Sequence, residues 1–100
     1  AGEWGYFFEA PAGLTKELLK DVAPLAEVVK LVAAVSDNDF TADKIKSAVW
    51  DYATQEGRGR VLWPMRVALS GRERSADPFT IAAIIGKAET IKRLTHALDL

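Results

Sequence analysis

Between residues 18 and 32 the apolar side chains Leu18, Val22, Leu25, Val29 and Val32 recur at spacings of four, three, four and three, along one face of a helix. Pro24 interrupts the run. Proline is comfortable only in a helix's first turn, so the pattern predicts two helices, about 15–22 and 24–36, with Thr15 capping the first. Ser36-Asp37-Asn38-Asp39 reads as a turn. Thr41 caps the next helix, with Asp43 in its first turn to suit the dipole. Its apolar face holds Ile45, Val49 and Tyr52 with Ala48 and Ala53, Trp50 lies near the edge of that face, and Gly57 is the stop.

Arg58-Gly59-Arg60 is then expected as an exposed basic hinge, and Trp63-Pro64 as the start of a short helix with proline first. Met65, Ala68 and Leu69 face inward in that helix, and Gly71 ends it. A polar loop, 72–77, leads to Asp77-Pro78, a cap followed by proline and so another helix start. Phe79 to Ile85 is apolar nearly all round, which predicts the central buried element, and Gly86 terminates it. The last helix runs from about Lys87 to Leu98, with Ile91, Leu94 and Leu98 inward and Lys92 and Arg93 outward. Thr80 and Thr90 are expected to face solvent or bond back to the preceding turn. Apart from the ambiguous stretch 61–69, nothing alternates with period two. The fold class is therefore all-α: one compact bundle of five or six short helices over 1–100. Residues 1–14, with Trp4, Tyr6, Phe7, Phe8, Pro11 and Gly13, form an extended aromatic lead-in.

Composition narrows the chemistry. Cysteine is absent, which removes disulfides, thiol nucleophiles and cysteine-ligated zinc, and His96 is the single histidine, which removes any two-histidine metal site. The longest apolar runs, 31–35 and 81–85, fall far below the ~18–20 residues needed to cross a bilayer. The start, Ala1-Gly2-Glu3-Trp4, has neither an initiator methionine nor the basic-then-apolar order of a signal peptide, as for a processed protein or an excised domain. Cytoplasmic location is the expectation.

The net charge of −1 conceals a split. Residues 1–56 carry five lysines against ten acids, a net of −5, whereas residues 57–100 carry six arginines and two lysines against four acids, a net of +4. Every arginine lies in the second half, five of them between 58 and 74. Arginine's planar fork suits phosphates and base edges better than the point charge of lysine. Such a cluster is either a solvated, salt-bridged surface or a contact surface for an anion such as nucleic acid. Arg58, Arg60, Arg66, Arg72 and Arg74 straddle one short helix and its flanking loops, so they can converge on one side. Arg66, read as lying in the first turn after Pro64, would gain from free backbone amides there.

Catalysis is hard to assemble. A triad would need a base, and His96 sits alone in the last helix; Asp37, Asn38 and Asp39 lack the glycine and distal glutamate of a calcium loop. Arg58-Gly59-Arg60 lacks the glycine register of a phosphate loop. No catalytic, cofactor or metal site is assigned.

Leu62 to Leu98 resembles the C-terminal end of bacterial-type glutamyl-tRNA synthetases. The resemblance rests on Trp63-Pro64-Met65-Arg66-Val67-Ala68-Leu69-Ser70-Gly71, similar to that family's Pro-Leu-Arg-Val-Ala-Leu-Thr-Gly. It continues through Ser75, Phe79, Ile84-Ile85-Gly86-Lys87 and the closing stretch from Ile91 to Leu98. Upstream, Phe7-Phe8-Glu9 with Pro11 is similar to the aromatic-acidic stretch ahead of the last subdomain.

The resemblance implies an all-helical anticodon-binding domain that grips the anticodon loop of a tRNA. By position, Arg66 would hydrogen-bond an anticodon nucleotide, and Ser75, Ala76, Asp77 and Pro78 match the loop that approaches the anticodon bases. Many members place proline directly after the serine or threonine, where this chain has Ala76 and then Asp77-Pro78. Arg58, Arg60, Arg72 and Arg74 complete the expected tRNA-binding set. The family's catalytic half, with its ATP motifs, is absent. The resemblance thus implies a glutamate–tRNA ligase whose ATP and Mg site lies upstream, with no cofactor in this chain, and the whole is expected to be monomeric. The rival expectation from the residues is a helical protein-interaction module docking through Trp4 to Phe8. A helix-turn-helix DNA reader would need a polar recognition helix, and Phe79 to Ile85 is too apolar for one.

Overall fold

The computed structural model describes residues 16–20, 22–71 and 76–100, and among them the chain forms six α-helices, a single 3-10 turn and no strand. The Thr15 cap and the aromatic lead-in over 1–14 lie outside the described residues, as do the docking segment of the rival expectation, Arg72, Arg74 and Ser75.

Pro24 divides the first apolar run as its ring requires: α1 spans Lys16–Leu19 and α2 spans Ala23–Ala33, with the proline in the first turn of α2. Asp37–Asp39 forms the 3-10 turn, capped by Ser36 Oγ, which accepts from the Asn38 amide at 3.3 Å. Thr41 begins α3, Ala42–Glu56, its Oγ1 accepting from the Lys44 amide at 3.3 Å. After Gly57 comes α4, Arg58–Ser70, then α5, Pro78–Ile85, and after Gly86 comes α6, Lys87–Leu98. A single residue joins α3 to α4 and α5 to α6, so each joint must reverse the chain's course within one pair of dihedrals. Gly57 and Gly86 do this at φ 101° and 91°, where a side chain would be strained.

Helix α4 is the centre of the bundle, packing against α1, α2, α3, α5 and α6. Its Val61, Met65, Val67, Ala68 and Leu69 are all fully buried, and they join Leu25, Val28 and Val32 of α2 with Ile45 and Val49 of α3 in one core. Consecutive buried residues at 67–70 close the last turn of α4 against the core, and Arg66 is left half-exposed just before them.

Four expectations are corrected. Trp63-Pro64 does not start a helix: α4 begins at Arg58 and carries Pro64 in its interior, so Arg58-Gly59-Arg60 is its first turn and no hinge. An interior proline forfeits one backbone hydrogen bond, at a cost of about 3 kcal/mol or more. Tertiary contacts offset that cost here. Pro64 is buried in the core, and the Trp63 indole N–H donates to the Leu18 carbonyl at 2.9 Å, with the Lys20 ammonium 4.3 Å from the ring centre.

Second, α5 is not buried all round, because its Ile84 is 60% exposed; α4 takes the central place instead. Third, Arg93 points inward. The buried stripe of α6 is Thr90, Arg93, Leu94 and Ala97, a helical repeat of which half the members are polar, which a search for apolar periodicity does not register. Arg93 is 3% exposed, donating from Nη1 to the Leu69 carbonyl at 2.7 Å and from Nε to Glu89 at 2.8 Å. Fourth, Thr90 faces neither solvent nor its own helix: it is buried, and its hydroxyl donates across to the Ala82 carbonyl of α5 at 3.3 Å.

Candidate nucleic-acid interface

The residues singled out by sequence fall on two elements, α4 and the start of α5. On α4, Arg66 is the ninth residue and half-buried, so it has helix on both sides and not the free amides of a first turn. Its own carbonyl accepts from Ser70 Oγ at 2.8 Å. The first turn of α4 is instead Arg58, Gly59 and Arg60, closed by the Val61 amide, which donates to the Gly57 carbonyl at 3.1 Å.

At about 100° and 1.5 Å per residue, Arg58 and Arg60 project from nearly opposite sides of α4, while Arg66 lies about 80° round from Arg58 and 12 Å further along. Their partners agree with this. Arg60 turns back to α3, its Nη1 3.2 Å from Glu56 Oε1, whereas the guanidinium of Arg58 lies over the indole of Trp50, 4.9 Å from the ring centre. The helix therefore brings Arg58 and Arg66 nearer to one side and sets Arg60 away from Arg58.

At the start of α5 the local chemistry builds a rigid corner. Asp77 is the cap: the Thr80 amide donates to its Oδ1 at 2.9 Å and the Thr80 hydroxyl to its Oδ2 at 2.7 Å. Burial alone would raise the Asp77 carboxyl, but the bonds from the Thr80 amide and hydroxyl and from the Phe79 amide outweigh it and hold the group below its ordinary value. Pro78, buried, sets the first helical residue, and Ala76 is half-buried beside it. Ala76-Asp77-Pro78 is thus a fixed approach to a helix N-terminus, with the Asp77 charge exposed.

One feature escaped the sequence reading. A shallow groove open to solvent runs between the starts of α3 and α5, lined by Ala42, Asp43, Lys46, Trp50, Asp77, Phe79 and Thr80. It joins the Asp77 corner to Trp50, whose indole also carries the Lys46 ammonium 4.8 Å from its centre. The signal in the sequence is the i, i+4 spacing of Lys46 and Trp50; nothing in it announces that Arg58 arrives from the next helix. His96 is exposed on α6, away from this groove, and among the described residues no three metal-ligating side chains cluster.

A family model described as an anticodon binding domain matches residues 1–98. The chain is 35% identical over 98 residues to a glutamate–tRNA ligase of Flavobacterium psychrophilum, covering 93% of this chain and 20% of that protein. It is 34% identical over 89 residues to the corresponding ligase of Clostridium acetobutylicum, covering 86% of this chain and 17% of that protein. Among solved structures, a glutamate tRNA ligase from Elizabethkingia meningosepticum in complex with its amino acid superposes with a TM-score of 0.82 at 27% identity, over 95% of this chain and 20% of that one. The chain spans about a fifth of the length of the relatives it matches. With five helices packed around α4 among the described residues and a family match over nearly its whole length, the chain belongs to the anticodon-binding domain family.

Proposed function

We propose that this chain is the tRNA anticodon-recognition domain of a glutamate–tRNA ligase, positioning the tRNA for glutamylation by an ATP- and Mg-dependent catalytic domain carried elsewhere in the same polypeptide. The family match over residues 1–98 carries this reading. In it, Arg66 bonds an anticodon nucleotide, and the corner Ala76-Asp77-Pro78, with Ser75, Arg72 and Arg74 leading into it, lies against the anticodon bases. Arg58 adds charge toward the phosphates, while Arg60, turned to Glu56 on the other side of α4, stands apart from this contact. Arg66 suits the role because it is fixed on a helix yet half-exposed, so its fork can meet a base edge with little ordering cost. The domain works as a monomer in the cytoplasm, where tRNA is charged.

Glutamylation of glutamate tRNA by the longer protein tests the proposal. Arg66→Ala should lower kcat/KM by roughly 1–3 kcal/mol, about 5- to 150-fold, chiefly through KM, with the melting temperature little changed. Parental kcat/KM in Arg66→Ala would remove Arg66 from the site. Absence of glutamate charging by the parent protein would overturn the function itself.

A further inference from the structure

Among the described residues, Lys46 and Arg58 are the two cations that share one aromatic ring. Neither forms an ion pair among the described residues, although Asp43 and Asp51 line the same surface. Both instead lie over one ring, Trp50, at 4.8 and 4.9 Å from its centre. An aromatic face holds a cation in place without neutralising it, so the side chain loses freedom before any ligand arrives and its charge stays available. Each cation lies within 5 Å of the same ring centre, so the two charges are no more than about 10 Å apart, a spacing that one or two neighbouring phosphates of a strand can bridge. The pair also joins the two halves of the sequence: Lys46 comes from residues 1–56, with their net of −5, and the fold delivers Arg58 from the basic half onto the face of α3. Finally, the groove runs without interruption from Lys46 and Trp50 to Asp77 and Thr80.

We infer that Lys46, Trp50 and Arg58 form a phosphodiester-backbone grip, in which the indole pre-orders two cations against one or two phosphates of the RNA strand whose bases meet the Asp77 corner. The inference rests on the anticodon-binding reading and extends its contact from the corner of α5 to the junction of α3 and α4. Being a backbone contact, the grip adds affinity and register, and reads no sequence.

The test is fluorescence anisotropy of a labelled anticodon-arm hairpin of glutamate tRNA, titrated with the full chain at KCl concentrations from 50 to 200 mM. Lys46→Gln combined with Arg58→Gln removes both charges at exposed positions, and circular dichroism checks that the fold survives. The double variant should bind about tenfold more weakly at the low-salt end. Its slope of log K against log salt should be shallower by about 0.7–1.8, since each of one or two phosphate contacts contributes roughly 0.7–0.9. The loss should be the same for a hairpin with an altered anticodon. Trp50→Phe, which keeps a flat ring, should bind like the parent, whereas Trp50→Leu should bind severalfold more weakly with both charges still present. Unchanged affinity and slope in the double variant, with the parent binding the hairpin, would overturn the grip and leave the anticodon reading standing. Failure of the parent to bind any hairpin would overturn that reading, and the grip with it. Competition by polyglutamate equal to that by polyuridylate at matched charge would make the patch a general anion site and refute its assignment to RNA.

Discussion

Arg93→Met removes the charged group that ties α6 to the end of α4 while keeping a long apolar stem in the core. Two named bonds are lost. Nη1 donates at 2.7 Å to the Leu69 carbonyl, which lies in the last turn of α4 and so has no partner within its own helix. Nε donates at 2.8 Å to Glu89, one turn earlier on α6. The arginine side chain is 2% exposed, and that of Glu89 is 31% exposed, so water can re-solvate the carboxylate but not the carbonyl. A hydrogen bond to a charged group contributes about 1.5–3 kcal/mol, and stranding a buried acceptor costs 1–3 kcal/mol. Discounting the Glu89 bond for its solvation, we expect a loss of about 2–4 kcal/mol, out of the roughly 5–15 kcal/mol that hold a domain of this size. At 4–8 °C per kcal/mol this corresponds to a melting point lower by about 10–30 °C. Thermal unfolding followed at 222 nm, with urea titration to confirm an unchanged m value, measures it. Arg93→Lys keeps the charge without the fork, and should fall between the two. A loss below about 1 kcal/mol in Arg93→Met would refute the claim that this side chain closes the α4 terminus.

The remaining predictions concern caps and glycines. Asp77→Ala should destabilise by about 0.5–2 kcal/mol, and Asp77→Asn by much less, because asparagine still accepts from the Thr80 amide. The Asp77 carboxyl is held below its ordinary value, so its contribution is complete above about pH 4 and lost as pH falls through the lowered value. Asp77→Asn should therefore flatten the acid side of the stability profile, and an unaltered acid limb would count against the cap. Gly86→Ala should cost about 1–3 kcal/mol by backbone strain alone, since a Cβ there would meet nothing within 4 Å. Gly59→Ala, in the first turn of α4 with equally open space and no positive φ, should do the reverse and stabilise by about 0.5–1 kcal/mol in urea titration.

Much of the fold is legible in single residues because the relevant physics is local. Thr41 and Asp77 are caps whose acceptors reach amides three residues on, and Gly57, Gly71 and Gly86 stand where the chain must take positive φ. Pro24 divides one apolar stripe into two helices by its own ring. The candidate site was legible in part, through the likeness of 62–98 to one family. The cation pair on Trp50 was not, because Lys46 and Arg58 lie on different helices and meet only after α3 folds back on α4 at Gly57.

Rules of local sequence failed where tertiary contacts outweigh them. Pro64 marks a helix start by every local criterion, yet α4 runs through it because Trp63 is anchored to the Leu18 carbonyl and the proline ring is buried. Arg93 reads as a surface charge until the Leu69 carbonyl lies within 2.7 Å of it. The sequence by itself determined the helical class, the caps at Thr41 and Asp77, the stops at Gly57, Gly71 and Gly86, and the acidic and basic halves of the chain. The tertiary structure alone decided which polar groups are buried and which cations stay available, because desolvation and pairing depend on neighbours that are distant along the chain.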